Sequence, residues 1–389
     1  MKVLHLVSNH KLTGPVDPAI VLARALFERH VDSRIAVGRS AGGPGPLDEA
    51  VRARGLEPVT LLRLPKHRRL FVNRADASAL ARWLERDPFD VLHAHLDNAH
   101  GIAARARRAF RRGIGAGDGL RRPILARSLY DDVAPRAGLR ARWLHAREAD
   151  GLFVFGEAVR RTLLARFRLP EDRVVKLDGA VSAERFHPRS PGDDLRERFG
   201  IPRGAVVIGI VARIQRHRRY EVLLEAVRTV MAELRDVHLL VLGRGTHAQE
   251  VAHHRVRKLG IGERTRLPGY VGGDEYPAAL GCFDLKVFLV PGSDGTCRAV
   301  REAMATGIPV VASRRGLLPE IVRDGVDGLI VDDQVKPLAA ALRRLAGDAG
   351  LRRTLGENAR RRALEDFSPR RQAEEVLAAY RRWLEERAR

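Results

Sequence analysis

Two acids eight positions apart, Asp294 and Glu302, stand in the stretch PGSDGTCRAVREAMATGIPVVASRRGLLPE, residues 291 to 320. The pattern there predicts a buried strand over 287–290, a polar turn, a helix start and a second buried strand over 308–312. A helix start presents unpaired backbone N–H groups and a partial positive charge. Gly292 and Gly295 let a ligand come close to the backbone. Such a place suits a phosphate or a sugar hydroxyl. A second set lies in GAVVIGIVARIQRHRRYEVLLE, residues 204 to 225, where a strand ends at Val211 and a helix begins near Tyr220. The loop between them carries Arg213, Arg216, His217, Arg218 and Arg219. Ligands of parallel sheets bind beyond the carboxyl ends of the strands, so this loop is placed to meet one. Two cations a few residues apart can grip a diphosphate from both sides.

Other candidates carry less information. In LLVLGRGTHAQE (239 to 250) a strand runs into Gly243 and Gly245, a turn that many strand-to-helix junctions share. HAHLDNAHG (93 to 101) holds His93, His95 and His100, and strand alternation puts the first two on one side. No carboxylate or Cys at supporting spacing completes a metal set, so one histidine in the core and one lining the cleft is the expectation. RSLYDD (127 to 132) follows a strand and offers Tyr130 and Asp131; Tyr donates a hydrogen bond but is no base near neutral pH.

These residues need a scaffold, and the chain supplies an alternating one. Strands are expected over 3–7, 33–37, 59–62, 91–95, 124–127, 152–155 and 174–177, with helical patterns between most of them. A second series starts at 206–211 and continues through 237–242. Alternation of this kind implies parallel sheets covered by helices. The segment FHPRSPGDDLRERFGIPRG, with its prolines and mixed charge, separates the two series. The expected division is a domain over 1–187, a linker over 188–204, a second domain over 205–367 and a terminal helix over 368–389. Ser368 and Pro369 suit the start of that helix, and Val376, Leu377, Tyr380, Trp383 and Leu384 form a stripe on it. Residues 113 to 122 (GIGAGDGLRR) read as a surface insertion.

Composition narrows the classes. At 389 residues, 45% of them hydrophobic, the chain is long enough for two cores and too apolar for disorder. Two cysteines, Cys282 and Cys297, make no disulfide framework and fit a reducing compartment. MKVLHLVSNH reads as a first buried strand rather than a secretory signal, and no segment reaches the ~20 apolar residues of a membrane span. A cytoplasmic protein is expected. The net charge of +22 comes almost wholly from Arg, with seven Lys in the chain. It fits either codon bias or an anionic partner. Basic clusters at 66–69, 105–112 and 136–147 make the first half a candidate for the inner face of the cell membrane. No aromatic-interleaved basic strand or recognition helix points to nucleic acid.

The acid in the turn, the second acid eight positions on, Glu-Ala-Met-Ala and the following small-Gly-x-Pro-Val-Val resemble the signature of retaining glycosyltransferases of family 4. The resemblance implies the GT-B fold: α/β, two Rossmann-like parallel-sheet domains facing a cleft, with the last helix crossing back to the first. It implies a hexosyl unit moved from a nucleotide-sugar to a hydroxyl, on a lipid-linked or cell-surface glycan precursor, with retention and without a metal or other cofactor. Arg213 matches the family's Arg, and Arg218 stands where Lys is usual. The helix start at Ala299, with Gly295, Thr296 and Cys297, would meet the donor, and Glu302 would accept from its ribose. Asp294, where the family usually has Glu, would accept from a donor-sugar hydroxyl. Gly243 and Tyr270 would lie along the nucleotide, and Gly14 stands where two glycines usually touch the donor phosphates. His95, Tyr130 and Asp131 fall on the acceptor side, Tyr130 in place of a more usual His. A nucleotide-sugar 2-epimerase-like enzyme and a basic binding protein without catalysis are the alternatives.

Overall fold

A computed structural model describes residues 1–11, 14–39, 45–113, 122–188, 193–291 and 297–388. The chain packs as two units, and the first takes in residues 1–180 together with the helix Pro369–Ala388. Its described strands are β1 (Lys2–Val7), β2 (Asp32–Val37), β3 (Pro58–Val59), β4 (Val91–Ala94), β5 (Ile124–Leu129), β6 (Gly151–Val154) and β7 (Val174–Lys176). They form one sheet in the order β3-β2-β1-β4-β5-β6-β7, and every pairing is parallel. The central strands are buried on both faces, which is why they read as continuous apolar runs rather than alternating ones.

The second unit holds β8 (Val206–Val211), β9 (Val237–Leu242), β10 (Thr265–Gly269), β11 (Leu285–Phe288), β12 (Val310–Ser313) and β13 (Gly328–Val331). Their order is β10-β9-β8-β11-β12-β13, again parallel throughout. Both sheets reverse direction beside their first strand, the doubly wound arrangement that opens a crevice at the carboxyl ends of the flanking strands. One large core, from Ile208 to Leu355, fills the second unit. Smaller clusters centred on Leu4, Val7 and Leu152 fill the first.

The alternation expected from the sequence is present, with instructive differences. Thr265–Gly269 and Gly328–Val331 are strands that the sequence pattern misses. Both lie at sheet edges, where strands are short and the Pro268 that argues against a strand is tolerated. The strand expected over 287–290 begins two residues earlier, at Leu285, because Lys286 breaks the apolar run without breaking the strand. Within 188–204 a helix, Asp193–Arg198, has formed. Most of the 113–122 insertion lies outside the described residues.

The terminal helix does return to the first unit. Val376, Tyr380 and Trp383 are buried there. The Trp383 ring lies so close to Gly151 that a Cβ at that position would come within 2.1 Å of it. Its Nε1 donates to the Asp172 carbonyl at 3.0 Å, and Gln372 Nε2 donates to the Asp178 carbonyl at 2.6 Å.

Candidate active site

In the second unit the switch point falls between β8 and β11, so the loops following these two strands share one crevice edge. The loop after β8 turns through a short 3-10 segment, Arg216–Arg218, before the helix Tyr220–Glu233. Of its cations, Arg216 pairs with Glu250 at 2.7 Å, and Arg219 pairs with Glu221 at 3.0 Å and Asp333 at 3.1 Å. Among the described residues no carboxylate pairs with Arg213 or Arg218. Arg218 Nη1 donates to the Val290 carbonyl at 2.8 Å, tying the two loops together, while its Nε is buried without a partner. Burial pushes the Arg218 guanidinium below its ordinary pKa, and the nearby Arg213 acts in the same direction. Two close guanidiniums, one half-buried and neither paired with a carboxylate, make a receptive place for an anion.

The turn after β9 lies against this loop. At Gly243 a Cβ would meet the Ala212 carbonyl oxygen at 1.9 Å, and at Gly245 the Ile214 carbonyl oxygen at 1.9 Å. Only glycine permits that approach. Tyr270, just beyond β10, is largely exposed, with the Arg244 guanidinium 4.9 Å from its ring centroid.

Gly292, Asp294, Gly295 and Thr296 lie outside the described residues. The chain resumes at Cys297, a buried residue in the left-handed region (φ 48°), and the helix Arg298–Ala305 follows. Ala299 is in its first turn, and the Ala299 carbonyl accepts from Lys286 Nζ. Glu302 is buried one turn on; Tyr276 Oη donates to its Oε2 at 2.6 Å, and Arg298 Nε lies 3.2 Å from Oε1. Burial, then Glu302, holds the Tyr276 hydroxyl well above its ordinary pKa, so it remains a donor. A carboxylate has about four lone-pair sites. Two partners therefore leave Glu302 lone pairs uncommitted among the described residues.

Lys286 and Tyr276 were not singled out from the sequence. Lys286 had a visible signal, a charge inside an apolar strand, whereas Tyr276 had none. Burial lowers the Lys286 pKa from 10.5 to about 7, against the opposing pull of Glu302. Between those values the unfolded chain keeps a proton that the folded one has lost, so stability rises with pH. Urea unfolding of the wild type from pH 7.5 to 9.5 should show this as a slope of up to about 1.4 kcal/mol per pH unit. The slope should flatten in Lys286→Met, and an unchanged slope there would place its origin elsewhere.

In the first unit Gly14 is half-buried before the helix Val16–Phe27, and residues 12 and 13 of the same turn lie outside the described residues. Asp131 is exposed and Tyr130 buried. The expectation that one histidine lines the acceptor side needs correcting, because His93 and His95 are both fully buried. β1 and β4 pair His5 directly with His93, and this brings in a third histidine that strand spacing alone could not reveal. His95 contacts His5 Nδ1 through Nε2 at 2.9 Å and Tyr130 Oη through Nδ1 at 2.7 Å. His93 contacts Tyr380 Oη at 2.6 Å and Ser128 Oγ at 2.8 Å. Burial pushes His5 down to about 3 and the other two well below the ordinary range, so all three are neutral. Their ligand atoms lie within 4.8 Å of one another, which a metal set would require. Five of the six ring nitrogens already have partners within the chain, however, and only His5 Nε2 has none. The group works as a hydrogen-bonded core beneath Tyr130 rather than as an open site.

Comparison with known proteins bears on both halves. A family model described as glycosyl transferases group 1 matches residues 192–362, and one described as glycosyltransferase family 4 matches residues 19–185. A sulfoquinovosyl transferase of Arabidopsis thaliana is 30% identical over 53% of this chain and 39% of its own. A D-inositol 3-phosphate glycosyltransferase of Corynebacterium urealyticum is 32% identical over 45% of this chain, so the match spans less than half of either relative. One from Streptomyces scabiei is 26% identical over 86% of this chain and 72% of its own. Among solved structures, a glycosyltransferase from Rickettsia africae superposes with a TM-score of 0.79 at 16% identity, covering 98% of each chain. Anabaena HepE, solved in complex with UDP-glucose, gives 0.75 at 19% identity over 97% of this chain and 100% of that one.

Proposed function

Because this chain belongs to the group 1 glycosyltransferases of family 4 and has the GT-B fold, we propose that it moves a hexosyl unit from a nucleotide-sugar to a hydroxyl acceptor with retention. The observation that carries the proposal is the pair Arg213 and Arg218, which among the described residues have no carboxylate partner at the switch point, where Arg216 and Arg219 each have one. Their place beyond the carboxyl end of β8 fits the diphosphate of a donor such as the UDP-glucose that HepE binds.

Catalysis then rests on position and charge. No side-chain nucleophile is needed if the departing diphosphate is stabilised where its charge develops. Arg213, Arg218 and the N–H groups of the helix start at Ala299 supply that stabilisation. The guanidiniums take the part a divalent ion plays elsewhere, so the reaction proceeds without one. Gly295, Thr296 and Cys297 frame the donor, Asp294 accepts from its sugar, and Glu302 accepts from its ribose. Gly243 and Tyr270 border the nucleotide. Tyr130, oriented by His95, and Asp131 handle the acceptor, a lipid-linked or cell-surface glycan precursor at the inner face of the membrane.

A thermal-shift series with UDP, GDP and ADP in EDTA tests the donor half. The matching nucleotide at ~100 times its dissociation constant should add about 2.7 kcal/mol. Arg213→Ala and Arg218→Ala should each shrink the shift. Full shifts in both variants would take the diphosphate away from this loop, and a shift seen only with added magnesium would contradict the metal-free mechanism.

A further inference from the structure

The loop 65–69 leading into the helix Leu70–Arg86, the helix Asp97–Gly113 and the helical segment starting at Leu139 meet on the first unit, and they bring three guanidiniums together. Arg105 Nη1 donates to the Gly101 carbonyl at 3.1 Å. Arg105 and Arg140 both reach Gly101, each 3.4 Å from where a Cβ would stand. Asn98 Nδ2 donates to the Pro65 carbonyl at 2.7 Å and so pins the loop that carries Arg68 over the same helix. Burial pushes Arg105 below its ordinary pKa, with Arg68 and Arg140 adding to the effect. Among the described residues none of these three arginines has a carboxylate partner within ion-pair distance. Asp97 feels the charge of Arg140 but pairs with Arg127 at 2.7 Å, so the three like charges are held together without an ion-paired carboxylate, which favours an anion supplied from outside.

Large apolar side chains flank the cluster, largely open to solvent. Leu70 and Phe71, next to Arg68 and Arg69, are 63% and 85% exposed, and Leu139, next to Arg140, is 92% exposed. An apolar residue beside a cation, repeated on two separate elements, matches an interface with acyl chains below and anionic headgroups above. It suits nucleic acid less well, since Leu70 and Leu139 give a base no ring to stack on and Phe71 is the one aromatic of the three. No described helix is long and apolar enough to cross a membrane, so contact would be from one side.

The geometry points to this surface, centred on Arg68, Arg105 and Arg140 and edged by Leu70, Phe71 and Leu139, as the docking face for an anionic phospholipid bilayer. It rests on the membrane-side acceptor proposed above, yet its test involves neither donor nor turnover. Failure of one therefore leaves the other standing.

The full chain is sedimented with vesicles of phosphatidylcholine alone and with vesicles that also contain phosphatidylglycerol. Binding is expected only to the second, falling as salt is raised. At about 1 kcal/mol per basic residue near such a surface, Arg68→Gln with Arg140→Gln should weaken partitioning on the order of thirtyfold. Phe71→Ser with Leu139→Ser should weaken it on the order of a hundredfold. These side chains are exposed, so the variants should keep the wild-type melting temperature, which reports on folding. Equal binding to both kinds of vesicle, or wild-type binding by both double variants, would overturn the proposal. Full competition by inorganic phosphate would turn the cluster into a small-anion site. Arginine-dependent binding to an oligonucleotide, with none to vesicles, would give the surface to nucleic acid.

Discussion

Trp383→Ala should destabilise the first unit by roughly 3–5 kcal/mol, the range for removing a large aromatic from a core. The ring is almost completely buried, lies directly on Gly151, sits 5.1 Å from the Phe153 ring, and loses a hydrogen bond to the Asp172 carbonyl when removed. Gly151 has no side chain with which to refill the space, so little collapse can soften the loss. Two units make a single transition an unsafe assumption. Unfolding should therefore be followed by a probe on each, and only the transition of the first should move far. Trp383→Phe should recover part of the difference. A first-unit transition that stays put in Trp383→Ala would mean that the terminal helix is an appendage.

The second large effect concerns Asp294, where the chain departs from the usual Glu. A hydrogen bond to a charged group contributes about 1.5–3 kcal/mol. If Asp294 accepts from a donor-sugar hydroxyl, Asp294→Ala should lower transfer on the order of 10- to 150-fold. Nucleoside diphosphate binding should stay near wild type, because the contact is to sugar alone. Loss of both together would implicate the turn as a whole, and unchanged turnover would remove Asp294 from the site.

Much of the fold was legible because doubly buried parallel strands write themselves as apolar runs. β1, β2, β8 and β9 could be read that way almost to the residue. Edge strands gave less: β10 is half-covered and carries a proline, and β13 has four residues beginning with a glycine. The cations of the β8 loop were legible as a set, but which of them lack a carboxylate among the described residues was not. Glu221, Glu250 and Asp333 make that selection, and Glu250 and Asp333 are distant in sequence. The same limit hid His5. Period-two spacing relates His93 to His95 within a strand, whereas the register of β1 against β4 brings in the third ring. Tyr276 reaches Glu302 from another helix altogether.

The return of the terminal helix bears on how the chain is made. A ribosome delivers residues in order, so the seven strands of the first sheet emerge long before Tyr380 and Trp383. Until the last helix arrives, the groove over Gly151 stands open and His93 lacks its Tyr380 partner. The second unit is self-contained in its core and can settle while the first still waits. Maturation thus runs against the order of synthesis: the half made first is finished last, and a stalled or clipped chain leaves its aromatic floor bare.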